Sequence, residues 1–157
     1  MKELTEKEAL NKAAAYCSAA EHCLSEVASK LADWGQSTEA VESILARLVR
    51  EGFIDEARYA RSFVREKFGC NRWGRIKIRQ ALRQKGIPSS LASEAMSEID
   101  EQEYLSVLRT LLEAKRRSVR ATTAYEARAK LVRFAVGRGF EMEAAFACLG
   151  GGDDEAC

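Results

Sequence analysis

Proline is almost absent from this chain: Pro88 is the only one among 157 residues, and ten glycines accompany it. An all-β fold needs more turn residues than that. Histidine is equally scarce. His22 stands alone, so a Ser–His or Cys–His pair would have to use it, and nothing nearby supplies a nucleophile. The five cysteines, Cys17, Cys23, Cys70, Cys148 and Cys157, are odd in number and include no close CxxC pair. They fit neither a disulfide framework nor a zinc site. Reduced thiols packed as small hydrophobes are expected, with no metal and no cofactor. No apolar run approaches the roughly 18 residues that span a bilayer. The start, MKELTEKEAL, lacks the apolar stretch of a signal peptide. A soluble, cytoplasmic monomer with no membrane partner is expected.

Catalytic motifs are missing too. Gly69-Cys70-Asn71-Arg72-Trp73-Gly74 has the glycine spacing of a phosphate loop, but Arg75-Ile76 follows where Lys-Ser or Lys-Thr must bind phosphate and magnesium. The stretch also follows a helical pattern where a strand is needed. No GxSxG, HExxH or GxGxxG occurs. Acidic pairs such as Asp100 and Glu103 fall at helix ends, where dipole stabilisation accounts for them. The expectation is a protein that is not an enzyme.

What the chain does have is apolar content and charge. Hydrophobic residues make up 46% and charged residues 31%, enough to fold rather than stay disordered. A compact chain near this length buries roughly 68–70% of its unfolded surface. The net charge of +1 conceals blocks of opposite sign. Residues 1–49 carry −3, 50–85 carry +7, 86–108 carry −5, 109–138 carry +7 and 139–157 carry −5. Basic blocks of that strength point to a polyanion or an acidic protein groove as partner, with solvated helix faces as the plain alternative.

Helical signals run nearly end to end and predict an all-α fold of about nine helices. Thr5 with Glu8 forms a capping box. Ser25 is read as the cap of a second helix and Ser37 of a third. Asp55 opens a fourth, and a fifth runs from about Trp73 to Lys85. Pro88 sits in the first turn of a sixth, and a seventh carries Tyr104, Leu108 and Leu112. An eighth carries Tyr125, Ala129, Val132 and Val136 as its apolar set, and a short ninth holds Met142, Ala145, Phe146 and Leu149. Trp34-Gly35-Gln36, Lys85-Gly86-Ile87 and Arg138-Gly139-Phe140 then align, with glycines 51 and 53 residues apart. Four positions before each glycine comes Leu31, Leu82 or Ala135. Each glycine is read as an αL stop at the end of a second helix. The predicted architecture is three tandem three-helix modules, 4–52, 53–99 and 100–149, elongated and curved, followed by a disordered acidic tail at 150–157.

The middle module is the basic one. At 100° per residue Arg72, Arg75, Arg79 and Arg83 share a stripe on the fifth helix, beside a packing face of Gly74, Ile78, Ala81 and Leu82. Arg58, Arg61 and Arg65 share an edge of the fourth, and Lys85 follows. Only Asp55, Glu56 and Glu66 are local acidic partners, so a binding surface is favoured over a merely solvated face. Trp73 is read as packing first and base stacking second. A secondary cluster, Lys115, Arg116, Arg117 and Arg120, sits at a helix–loop junction.

Residues 52–61 (Gly52-Phe53-Ile54-Asp55-Glu56-Ala57-Arg58-Tyr59-Ala60-Arg61), then Trp73-Gly74-Arg75-Ile76-Lys77-Ile78 and Leu82-Arg83-Gln84-Lys85-Gly86-Ile87, resemble the bacterial RecX family. Asp55, Tyr59, Ala60, Phe63, Val64, Gly74, Ile78, Leu82, Lys85, Gly86 and Ile87 occupy that family's pattern. Glu56 replaces a second aspartate and Ala81 stands where an acid is common. The resemblance is strong over about 36 residues of the middle module; the flanking modules match in helix pattern. It implies an all-helical, non-enzymatic regulator of the RecA recombinase that lies in the groove of the RecA–single-stranded-DNA filament. There it would limit filament growth, ATP hydrolysis, strand exchange and repressor cleavage, which places it in the SOS response and recombinational repair. Direct contact with single-stranded DNA stays open. So does the alternative of a helix-turn-helix-like nucleic-acid-binding protein, and so does a helical scaffold for some other partner.

Overall fold

The computed structural model describes residues 4–150. Among them are nine α-helices and no strand: α1 (Glu6–Ala19), α2 (Leu24–Asp33), α3 (Thr38–Arg50), α4 (Glu56–Gly69), α5 (Arg75–Gln84), α6 (Ser89–Met96), α7 (Glu101–Arg116), α8 (Ala124–Gly137) and α9 (Met142–Cys148). The acidic tail beyond Gly150 lies outside the described residues.

Local chemistry explains most of the helix ends. Thr5 accepts from the Glu8 N–H at 3.1 Å while Glu8 accepts from the Thr5 N–H at 2.9 Å, the reciprocal box expected for α1. Ser37, Asp100 and Thr123 cap α3, α7 and α8 through the N–H three residues on. The second helix differs from expectation. Its cap is Cys23, not Ser25, because Glu26 turns back to accept the Cys23 N–H at 3.3 Å. That leaves the Ser25 hydroxyl to donate to the Lys85 carbonyl at 2.7 Å. Pro88 also lies just outside its helix, its carbonyl accepting the first bond of α6 from Ala92.

The glycine repeat is a repeated hydrogen-bond pattern. Gly35, Gly86 and Gly139 adopt φ of 85°, 83° and 99°. The residues after them, Gln36, Ile87 and Phe140, donate back to Leu31, Leu82 and Ala135 at 3.1, 3.0 and 3.0 Å. This bond, five residues long, satisfies carbonyls that a helix end leaves open. Leu31, Leu82 and Ala135 are fully buried, so each stop is anchored in a core.

The described residues form two compact units, one of residues 4–63 with Leu82–Ala95, the other of Val64–Ala81 with residues 96–150. In the first, α1, α2 and α3 pack on one another around Ala9, Ala13, Cys17, Val27, Leu31, Ile44, Leu48 and Ile54. In the second, α7, α8 and α9 pack likewise. Its centre is aromatic: the Phe68 and Tyr104 rings lie 5.7 Å apart and the Tyr104 and Phe140 rings 5.1 Å. Burying side chains of this size stabilises by roughly 1.5–3 kcal/mol each.

The third triplet departs from its expected packing face. Leu131, Val132, Ala135 and Ala145 are buried, but Tyr125, Val136, Met142 and Phe146 are exposed. Periodicity finds an apolar stripe without saying which edge meets a neighbour, and here the packing edge is rotated toward Leu131 and Ala135. Of the thiols, Cys17 and Cys23 are buried as expected, Cys148 is half-buried, and Cys70 is exposed.

Candidate partner-binding surface

The basic residues of the middle segment divide into those that hold the fold together and those that face solvent. In the first unit the organising group is Glu26. Its carboxylate meets His22 Nδ1 at 3.0 Å, Lys85 Nζ at 3.0 Å and the Tyr59 hydroxyl at 3.2 Å. The His22 ring in turn stacks on Tyr16 at 3.7 Å. Burial alone would raise the Glu26 pKa, but the bonds from Lys85, His22 and the Cys23 N–H outweigh it and hold the carboxyl below its ordinary value. The same pairing raises the pKa of Lys85. Arg58 is also committed: it pairs with Glu21 and Asp55 and donates to the Gly52 carbonyl at 3.0 Å. Arg61 is half-buried and Arg83 exposed, and neither has an ion pair among the described residues.

The second unit is organised around Arg75. Its guanidinium pairs with Glu141 at 2.9 Å and Glu101 at 3.0 Å, lies 3.8 Å over the Tyr104 ring, and its side chain is only 25% exposed. The Arg75 N–H donates to the Tyr104 hydroxyl at 3.0 Å, and that hydroxyl donates to Glu141 at 2.7 Å. Burial pushes the Tyr104 pKa well up. Burial likewise opposes the charge on Glu141, yet the bonds from Tyr104 and Arg75 hold its carboxyl below the ordinary value. Arg75 therefore fixes the fold before it can grip a partner. Arg79 is half-buried and engaged, while Arg65 makes an open pair with Glu98 at 3.1 Å.

Arg72 is different. It is exposed and has no ion pair among the described residues. It also takes a φ of 58°, the one described non-glycine residue in the left-handed region. Arg138 secures that turn by donating to the carbonyls of Asn71 and Arg72. Trp73 beside it is half-buried, with Lys67 and Lys77 5.0 and 4.5 Å from its ring, which fits the packing role. In the secondary cluster Lys115 lies 5.3 Å from the Phe134 ring. Arg116, Arg117 and Arg120 are exposed, with no side-chain ion pair among the described residues.

Most backbone donors of the stretch from Gly69 to Gly74 are already used within the fold. The N–H groups of Cys70 and Asn71 bond to the Glu66 carbonyl and that of Trp73 to Lys67. Gly74 and Ile76 donate to the carbonyls of Arg138 and Gly139 at 2.8 and 2.9 Å. The positive end of α5 thus meets the negative end of α8, and the Gly74, Arg75 and Ile76 N–H groups that could face an anion there are taken.

Sequence reasoning missed Glu21, Glu26, Glu101 and Glu141 as the partners of these cations. Each lies far along the chain from its arginine or lysine, Glu141 66 residues from Arg75. A count of local acids has no access to them.

Fold and surface together define an all-helical protein of repeated three-helix units that presents to solvent arginines without an ion pair among the described residues. Two family models match in turn: "RecX, second three-helix domain" over residues 55–96, and "RecX, third three-helix domain" over residues 101–149. A Pseudomonas putida protein named "Regulatory protein RecX" is 34% identical over 133 residues, 85% of this chain and 83% of that one. The protein of that name from Pelodictyon phaeoclathratiforme is 30% identical over 142 residues, covering 87% of both. In the one from Prosthecochloris aestuarii the identity rises to 38% over 94 residues, 60% of this chain and 62% of that protein. The crystal structure of RecX from Lactobacillus salivarius superposes with a TM-score of 0.83 at 23% identity, over 94% of this chain and 96% of that one. A second RecX crystal structure gives 0.78 at 27% identity, over 91% and 76%. The chain belongs to the RecX family.

Proposed function

We propose that this protein binds the RecA–single-stranded-DNA filament and inhibits its growth, ATP hydrolysis, strand exchange and coprotease activity, converting no substrate itself. The observation that carries this reading is the succession of RecX three-helix domains over residues 55–96 and 101–149. The described surface suits it. Its ionisable clusters, around Glu26 and Glu141, are saturated by their own hydrogen bonds and offer no free acid or base for catalysis. Arg61 and Arg83 in the first unit, and Arg72 in the second, are the contacts proposed for the filament. Several such contacts, each modest, add up when they engage one long partner.

The deciding experiment is an ATPase assay on preformed filaments of the cognate recombinase. Added protein is expected to depress DNA-stimulated hydrolysis and shorten filaments seen by electron microscopy; unchanged hydrolysis and unchanged filament length would refute the reading. A second reading, direct nucleic-acid binding, is favoured by Arg116, Arg117 and Arg120, which stand exposed without ion pairs among the described residues. Salt separates the two, because phosphate contacts weaken by about 0.7–0.9 log units per contact per decade of salt.

A further inference from the structure

The exposed edge of the third triplet combines aromatic rings with cations. Tyr125, in the first turn of α8, is 84% exposed, and Phe146 of α9 is 41% exposed. With Arg128, Ala129 and Val132 they line an open groove of about 220 Å³. That is smaller than the roughly 300–1,000 Å³ of a drug-sized site; it suits one planar ring. The Arg128 guanidinium lies 5.3 Å from the Phe146 ring and donates to the Leu149 carbonyl at 3.4 Å. Arg128 also borders an adjoining groove of about 340 Å³ that Arg116 lines.

Charge says what such a face receives. Residues 109–138 hold nine basic and two acidic groups. Of the acids on and next to α8 and α9, Glu126 is occupied by Thr122 and Lys130, Glu141 precedes α9 and is bound by Arg75 and Tyr104, and Glu143 is exposed. The Lys130 ammonium also bonds the Arg120 carbonyl and so pins the preceding loop. Arg116, Arg117, Arg120 and Arg133 have no side-chain ion pair among the described residues.

We propose that this face binds single-stranded nucleic acid, one base stacking on Tyr125 beside Phe146 while the flanking phosphates meet Arg128 and Arg116. The proposal rests on the nucleic-acid reading above and gives it a site. Any base offers a π-face to a tyrosine, and arginine pairs with phosphate oxygens bidentately. Tyrosine, phenylalanine and arginine also occur at protein interfaces; what favours a polyanion here is the excess of nine basic over two acidic groups in residues 109–138, together with a groove that takes one ring.

Fluorescence anisotropy on the full chain tests it, using labelled oligo-dT and an abasic oligonucleotide of equal length, with no recombinase present. Wild type is expected to bind oligo-dT more tightly than the abasic strand. Tyr125→Ala should weaken oligo-dT binding about 5- to 140-fold, the range for losing one stacked base, and leave abasic binding unchanged. Tyr125→Trp should restore affinity. Arg116→Gln should reduce the slope of log affinity against log salt by about 0.7. Tyr125 is open enough that neither variant should shift the melting curve. Equal wild-type affinity for both strands would overturn the proposal, and so would Tyr125→Ala binding oligo-dT like wild type. Loss of filament inhibition in Tyr125→Ala with unchanged oligo-dT binding would also overturn it, marking the face as a protein-docking surface. Equal binding of both strands refutes this site while leaving nucleic-acid binding standing, whereas binding of neither strand refutes both; the filament reading is tested separately, with the recombinase present.

Discussion

The backbones of Gly74 and Gly139 touch: a Cβ placed on Gly74 would lie 2.2 Å from the Gly139 carbonyl carbon. The approach lets Gly74 and Ile76 reach the carbonyls of Arg138 and Gly139, joining the start of α5 to the end of α8 through backbone alone. A Cβ on Gly139 would in turn meet the Lys77 Cβ at 2.4 Å. Both positions thus require the absence of a side chain, and Gly139 requires left-handed backbone as well.

Gly74→Ala should therefore be among the most damaging single-methyl changes in the chain. No flexible side chain can yield, so the joint must open, costing about 3 kcal/mol by analogy with overpacked cores. Gly69→Ala is the control, since a Cβ there meets nothing within 4 Å; it should change stability by under about 1 kcal/mol. Urea unfolding followed by circular dichroism measures both. Equal stability of the two variants would remove the close approach from the account.

Acid should loosen the second unit through Glu141. Its pKa is held below the ordinary glutamate value in the folded protein, by Tyr104 and Arg75 acting against burial. A carboxyl with a lowered folded pKa contributes stability that is full above its unfolded value and lost as pH falls through the folded one. Unfolding free energy should thus be flat from about pH 7 to 5 and fall below about 4.5. Glu141→Gln should flatten part of that fall and lower stability at pH 7 by about 1–3 kcal/mol, because it leaves Arg75 short of a partner. Glu26, also lowered, should keep the remaining slope.

Arg72 offers a separation of stability from function. A non-glycine residue in the left-handed region is strained by about 1–2 kcal/mol, and glycine relieves that strain. Arg72→Gly should melt at the same temperature as wild type or higher. If the guanidinium contacts the filament, the same variant should inhibit the recombinase ATPase several-fold less well. A variant that is both more stable and fully inhibitory would leave the strained conformation without a functional reason.

The helices, the three glycine stops and the Thr5 box were legible because each depends on residues within one turn. The Leu31, Leu82 and Ala135 anchors were legible because they recur at one offset from the glycines. The roles of Arg58, Arg75 and Lys85 were not, since their acids arrive from other helices and a helical wheel sees one helix only. Tyr125 and Phe146 were misread for the same reason: a stripe identifies an apolar face, and the neighbouring helices decide whether it is covered.

Charge reversal at Arg83 and at Arg58 should tell a contact residue from a structural one. Both lie on the expected basic face, and a wheel ranks them alike. Arg58 bridges Glu21, Asp55 and the Gly52 carbonyl, so Arg58→Glu puts a carboxylate against two others and should destabilise the first unit. Arg83 is exposed, with no ion pair among the described residues, so Arg83→Glu should unfold like wild type. Its effect should appear in the filament assay, raising the concentration needed for half-inhibition by about tenfold if one direct contact worth about 1.4 kcal/mol is lost. The loss should shrink at high salt, as expected for an exposed charge. Wild-type inhibition by Arg83→Glu at low salt would exclude this end of α5 from the contact and leave Arg61 and Arg72 as the cations to test.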